Sequence, residues 1–128
     1  MVSNSALILL AHGSKNLNWK KPFSKIRKKI ESQRFFDKVE LAFFELDTPL
    51  LEDVVIDVKQ KNFLNIKIQP LILANGFHVE KDLPKRIVRL KEKYKNLNIS
   101  VGVALINHEE ICNAIVTSIL NTNSRKYD

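Results

Sequence analysis

Residues 6–14 read Ala6-Leu7-Ile8-Leu9-Leu10-Ala11-His12-Gly13-Ser14. Six consecutive apolar residues with no polar alternation describe a strand covered on both faces, as parallel sheets require. The run stops at an imidazole, a glycine and a hydroxyl. Downstream, Trp19, Phe23, Ile26 and Ile30 recur at helical spacing within residues 17–33, against a basic exterior. Pro22 belongs in the first turn of that helix. Val39–Leu46 is a second strand, β-branched and aromatic. Thr48-Pro49 reads as a helix start with proline at the first helical position, followed by the stripe Leu50, Leu51, Val54, Val55 and Val58.

Ile66–Leu73 is a third strand, with Pro70 removing a ladder donor near its end. Residues 80–95 place Leu83, Ile87, Leu90 and Tyr94 on one helical face, and Ile99–Leu105 is a fourth strand. Asn107 with Glu110 forms a capping-box pattern ahead of a helix carrying Ile111, Ile115 and Ile119. Cys112, beside Ile111, reads as a core residue of that helix. This alternation predicts an α/β fold, a four-stranded, mostly parallel sheet flanked by helices on both faces, joined by right-handed crossovers.

The chain has 128 residues, so residues 1–120 are expected to form one domain and 121–128 a polar C-terminal tail. With 45% hydrophobic and 27% charged residues the balance is that of a globular protein. No apolar run reaches the ~18 residues of a membrane span. The N-terminus lacks a basic leader region. A single cysteine can form neither an intramolecular disulfide nor a thiolate cluster. The expected compartment is the cytoplasm, with no membrane partner.

Net charge is +7, from 21 basic and 14 acidic residues. Residues 15–30 hold seven basic residues and no acid, and residues 81–95 hold seven more against Asp82 and Glu92. Such clustering suits an anionic partner. Lysine outnumbers arginine 16 to 5, however, a bias that AT-rich coding also produces. Nucleic acid is disfavoured, because the basic faces carry neither interleaved aromatics nor a binding motif.

Open parallel sheets bind ligands beyond the carboxyl ends of their strands. His12 follows the first strand, Glu45 ends the second, His78 follows the third and His108 the fourth. In a flavodoxin-like order 2-1-3-4, the first strand lies between the second and third, ~4.8 Å from each. His12, Glu45 and His78 then share one edge, within reach of a single ion. Imidazoles with a carboxylate suit a first-row divalent ion and leave positions open for a substrate. Each also has a plainer reading: a histidine after a strand commonly caps or faces solvent, and Glu45 could pair with a lysine. Asp47 and Asp82 fit helix entries as well as catalysis. Neither G-x-G-x-x-G nor G-x-x-x-x-G-K occurs, and Ser14 beside His12 lacks a nucleophile elbow.

Three blocks resemble the small sirohydrochlorin chelatases, the single-domain branch of the class II chelatases that includes cobaltochelatases and ferrochelatases. They are Leu9–Ser14, Ala42–Pro49 and Gln69–Pro84, the last containing Gly76-Phe77-His78 and Asp82-Leu83-Pro84. The resemblance spans about residues 5–120. It implies a lyase inserting cobalt, ferrous iron or nickel, as substrate, into sirohydrochlorin for cobalamin- or sirohaem-type cofactors. It also implies His12 and His78 as metal ligands, Glu45 as a site carboxylate, no organic cofactor, and a homodimer. Ser14, Lys81, Lys85 and Arg86 are the residues expected to meet the anionic tetrapyrrole, the last three near an amino-terminal helix dipole. Lys25, Lys28 and Lys29 are expected to lie away from that edge. Ile106-Asn107-His108-Glu109-Glu110 departs from the family's Gly-x-His-Pro stretch, and no histidine-rich tail is present. The rival reading is a non-catalytic carrier of metal or tetrapyrrole on the same histidines.

Overall fold

In the computed structural model the described residues are 4–121 and 124–127, without the side chain of His78. Strand β1 (Ser5–Ala11) is followed by α1 (Lys21–Ser32), β2 (Lys38–Phe43), α2 (Leu51–Gln60) and β3 (Asn65–Pro70). A π-helical turn, His78–Asp82, leads into α3 (Leu83–Lys93). Then come β4 (Asn98–Val101), a 3-10 turn at Leu105–Asn107, and α4 (Glu109–Asn121). The four strands pair in parallel in the order β2-β1-β3-β4, as expected.

β1 is central, and all seven of its residues are buried. Alternate side chains serve opposite faces. Ala6, Ile8 and Leu10 join Ile66, Ile68 and Phe44 in the main core, closed by Leu51, Val54, Val55 and Val58 of α2 and Leu83, Ile87 and Leu90 of α3. Each fully buried aliphatic side chain contributes about 1.5–3 kcal/mol. Leu7, Leu9 and Val39 face the other way, against Ile30 of α1 and Phe36. That side is thinly covered. Neither α1 nor α4 buries a residue completely, and Ile26 is exposed within the expected α1 stripe. Among the described residues no helix is long and apolar enough to cross a membrane.

Several element boundaries depart from the sequence reading. Trp19 precedes α1 and reaches its stripe from a turn, its ring 4.6 Å from that of Phe23. Pro22 does sit in the first turn. β2 ends at Phe43 and not Leu46, and the backbone is already in a left-handed turn at Leu46, whose φ is 66°. Pro49 lies outside α2; Leu50, extended, holds the N-cap position, and the Pro49 carbonyl accepts from the Phe43 N–H at 3.0 Å.

β3 stops at Pro70, although the Leu71 N–H still donates to the Leu10 carbonyl at 2.8 Å. β4 stops at Val101, and Leu105 belongs to the 3-10 turn. Asn107 closes that turn, so it cannot cap α4. The His108 carbonyl receives the Ile111 and Cys112 amides instead. Cys112 is half-buried, its thiol donating to the Ile106 carbonyl at 3.0 Å. Of the expected tail, Asn121 ends α4, and residues 122, 123 and 128 lie outside the described residues.

Candidate metal centre

The carboxyl end of β1 carries His12, and the ladder to β2 runs two residues beyond the strands. The Phe44 N–H donates to the Ala11 carbonyl at 3.0 Å, and the Glu45 N–H donates to the His12 carbonyl at 3.2 Å. Glu45 therefore lies past β2 in the following loop, bonded to the His12 carbonyl and, by the strand register, opposite Gly13. Gly13 permits the approach. Its φ is +104°, which side chains rarely adopt, and a Cβ there would overlap the Glu45 carbonyl oxygen.

His12 Nε2 lies 3.3 Å from Glu45 Oε1, and both side chains are about half exposed to solvent. His12 Nδ1 lies 3.2 Å from the Gly13 carbonyl oxygen, which accepts from Nδ1 in the tautomer that carries its proton there. In that tautomer the lone pair of Nε2 faces a Glu45 carboxylate oxygen. Two electron-pair donors converge on one point, an arrangement that a cation between them stabilises. A backbone carbonyl holding the far nitrogen is also the usual partner of a metal-ligating imidazole.

The backbone of His78 opens the π-helical turn after β3, the strand beside β1 on the side opposite β2. Its side chain lies outside the described residues. Among the described residues, no group of three His, Cys, Asp or Glu side chains could hold a metal ion. The described part of the expected ligand set is thus the pair His12–Glu45. His108 is elsewhere: it is exposed at the start of α4, after β4, and β3 separates β4 from β1.

The remaining expected site residues divide. Ser14 is half-buried, and its Oγ accepts from the Asn16 N–H at 3.1 Å, closing the turn after His12. Lys81, in the π-helical turn, and Lys85, in the first turn of α3, are exposed. Arg86 is not available in the same way; its side chain is only 12% exposed. Its Nε and Nη2 donate to the two carboxylate oxygens of Glu52, at 2.6 and 2.7 Å. Nη1 donates to the Phe44 carbonyl at 3.1 Å and to Asp82 at 3.3 Å. The hydrogen bonds from Arg86 hold the Glu52 carboxyl below its ordinary pKa despite partial burial, and Glu52 in turn raises that of Arg86. Arg86 is thus engaged by Glu52, Asp82 and the Phe44 carbonyl, unlike the exposed Lys81 and Lys85.

Two features were missed in the sequence. Asp47, just past Glu45, binds Lys20 at 3.3 Å and accepts the Thr48 N–H at 2.7 Å. A depression of about 500 Å³ is lined by Leu17, Lys20, Lys21, Ser24, Lys25, Lys28 and Lys29. α1 starts from the strand-end edge and rises ~1.5 Å per residue. Lys21 and Lys25 therefore lie within about one turn of that edge, nearer than expected for Lys25.

Residues 6–122 match the CbiX family model. A sirohydrochlorin cobaltochelatase of Saccharolobus islandicus (strain Y.G.57.14 / Yellowstone #1) is 26% identical, over 94% of this chain and 98% of its own. One of Methanococcus aeolicus is 32% identical over 80 residues, 62% of this chain and 56% of its own. The solved structure of a putative cobalamin (vitamin B12) biosynthesis CbiX protein from Marinobacter aquaeolei VT8 superposes with a TM-score of 0.79 at 28% identity. It covers 91% of this chain and 94% of that one. The sirohydrochlorin chelatase SirB from Bacillus subtilis subspecies spizizenii, in complex with cobalt, shares the fold. Its TM-score is 0.82 at 22% identity, over 91% of this chain and 50% of that one.

Proposed function

The chain belongs to the CbiX family and is a metal chelatase, as its curated relatives are; from that premise we propose that it inserts cobalt(II) into sirohydrochlorin. Ferrous iron and then nickel are the other candidate metals. The observation that carries this reading is the His12–Glu45 pair, with Nδ1 of the imidazole tied to a carbonyl and Nε2 facing the carboxylate.

Insertion exchanges two pyrrole protons for one divalent ion. The ion must shed part of its hydration and meet the ring nitrogens from one face. His12 Nε2, joined by His78, holds the partly dehydrated ion while its other positions stay open. Glu45, at the same spot, accepts the two pyrrole protons one after the other, handing the first to water before it takes the second, as the nitrogens turn to the metal. Both side chains are half exposed, so the proton passes on to water. Neutral imidazoles add no charge to the ion, which keeps it labile enough to leave. Lys81 and Lys85 meet carboxylates of the tetrapyrrole, and Lys20, Lys21 and Lys25 extend the field that attracts it.

One domain supplies one wall of the cleft for so wide a ring, and we propose that a second copy supplies the other. The exposed apolar residues Val116, Ile119 and Leu120 on α4 support pairing. The deciding experiment is anaerobic incubation of the protein with sirohydrochlorin and Co2+, Fe2+ or Ni2+, followed by absorption spectra. Many turnovers per protein, fastest with cobalt, are expected. Binding of metal or ring without turnover would establish the carrier reading in its place.

A further inference from the structure

We propose that Arg86 is a positioning residue for Glu45, acting through the peptide unit that joins Phe44 to Glu45. This rests on the chelatase reading of the His12–Glu45 pair. A peptide unit is planar and moves as one body. This one is held at both ends: its carbonyl oxygen accepts from Arg86 Nη1 at 3.1 Å, and its N–H donates to the His12 carbonyl at 3.2 Å. The Cα of Glu45 leaves directly from that plane, and the next carbonyl is pressed against Gly13. The carboxylate opposite His12 therefore hangs from a backbone fixed by β1 on one side and α3 on the other.

Arg86 is itself fixed. The planar guanidinium makes a two-bonded fork to Glu52 in the first turn of α2, and Asp82 takes part of Nη1 one helical turn earlier. The guanidinium carbon also lies 5.6 Å from the centroid of the Phe44 ring, and Phe44 is nearly fully buried. Arg86 thus grips the residue before Glu45 by ring and carbonyl together. Lysine keeps the charge but loses the planar fork, so it cannot bind Glu52 and the Phe44 carbonyl in this geometry at once.

The test is a mutant cycle on the full chain, read first with Co2+ alone by calorimetry and then by cobalt insertion. Arg86→Lys and Arg86→Gln should weaken Co2+ binding by about tenfold, in the range typical of lost ligand-orienting contacts. They should lower kcat by a similar factor and change KM for sirohydrochlorin less than about twofold. In a Glu45→Gln background, Arg86→Lys should add less than about twofold, because its route of action is already gone. Val58→Ala, which loosens α2 without touching this chain of contacts, controls for general destabilisation and should leave Co2+ affinity unchanged. Wild-type Co2+ affinity in both Arg86 variants would overturn the proposal. So would losses that multiply with Glu45→Gln, or an equal loss in Val58→Ala at matched melting temperature. Failure of the wild-type protein to metallate sirohydrochlorin would overturn the functional reading, while the Co2+ cycle still decides the role of Arg86.

Discussion

His12 Nε2 and Glu45 Oε1 face each other across 3.3 Å, at the carboxyl ends of two hydrogen-bonded strands. The far nitrogen of the ring is tied to the Gly13 carbonyl, so what lies between the two groups decides their chemistry. A proton there makes an ion pair; a divalent ion there would make the start of the proposed insertion site.

Replacing His12 by alanine should therefore remove most Co2+ binding, by about a hundredfold or more, together with cobalt insertion. The residue is about half exposed, so the melting temperature should hardly move. His78→Ala should cost insertion to a similar degree. Calorimetry and absorption spectra measure both, and wild-type insertion by the double variant would remove the metal assignment.

Proton and metal compete for the same lone pair. Co2+ affinity should fall by about tenfold or more between pH 7.5 and 5.5. His12→Ala should flatten the part of that slope that His12 contributes. A Co2+ isotherm unchanged across this range would argue against imidazole ligation.

Gly13→Ala tests the close approach of β1 and the Glu45 loop. The new methyl would meet the Glu45 carbonyl in a backbone conformation that alanine disfavours. A destabilisation of about 2–4 kcal/mol is expected. Co2+ affinity should drop as well, since the loop can relieve the overlap only by carrying Glu45 away. Thermal melting and calorimetry on the folded variant separate the two effects.

The Arg86–Glu52 fork predicts an acid limb of stability. The Glu52 carboxyl titrates below its ordinary value in the folded protein, so on acidification the unfolded chain takes up its proton first. The stabilisation is complete well above about pH 4.5 and is lost as pH falls through the depressed folded value. Glu52→Gln should lower stability at pH 7 and shrink this acid-dependent part. Denaturant midpoints measured from pH 7 to pH 3 check the sign. A Glu52→Gln protein with an unaltered acid slope would show that other carboxyls carry it.

These tests also mark where the sequence was legible. A six-residue apolar run is what a strand buried on both faces looks like, and β1 is that strand. Short apolar strands alternating with helical stripes pointed to a parallel sheet, for which a flavodoxin-like order 2-1-3-4 was the expectation. His12 was visible because a polar residue ends an apolar run. The Arg86–Glu52 fork was not, because its partners are 34 residues apart and both lie off the apolar stripes of their helices. Residues off a stripe read as solvent-facing until two helices pack side by side. Pro49 was misplaced because a proline suits the first helical position as well as the turn just before it. Asn107 failed as a cap because its own backbone was already drawn into a tighter turn.

Charge placement gives the last prediction. Lys81 and Lys85 sit beside the turn that His78 opens, and Lys20, Lys21 and Lys25 line the start of the α1 depression at the same edge. Lys28 and Lys29 lie further along α1, about 10 Å or more from its start at ~1.5 Å per residue. Exposed charges act weakly beyond a Debye length of ~8 Å at physiological salt. Neutralising Lys81 with Lys85 should raise KM for sirohydrochlorin about five- to tenfold and weaken its salt dependence. Neutralising Lys21 with Lys25 should do the same to a smaller extent. The Lys28 and Lys29 pair should change KM less than about twofold. Equal effects from all three pairs would mean that the charge acts only as a diffuse field. No effect from any pair would return the basic composition to a bias of coding, with no part in recruiting the substrate.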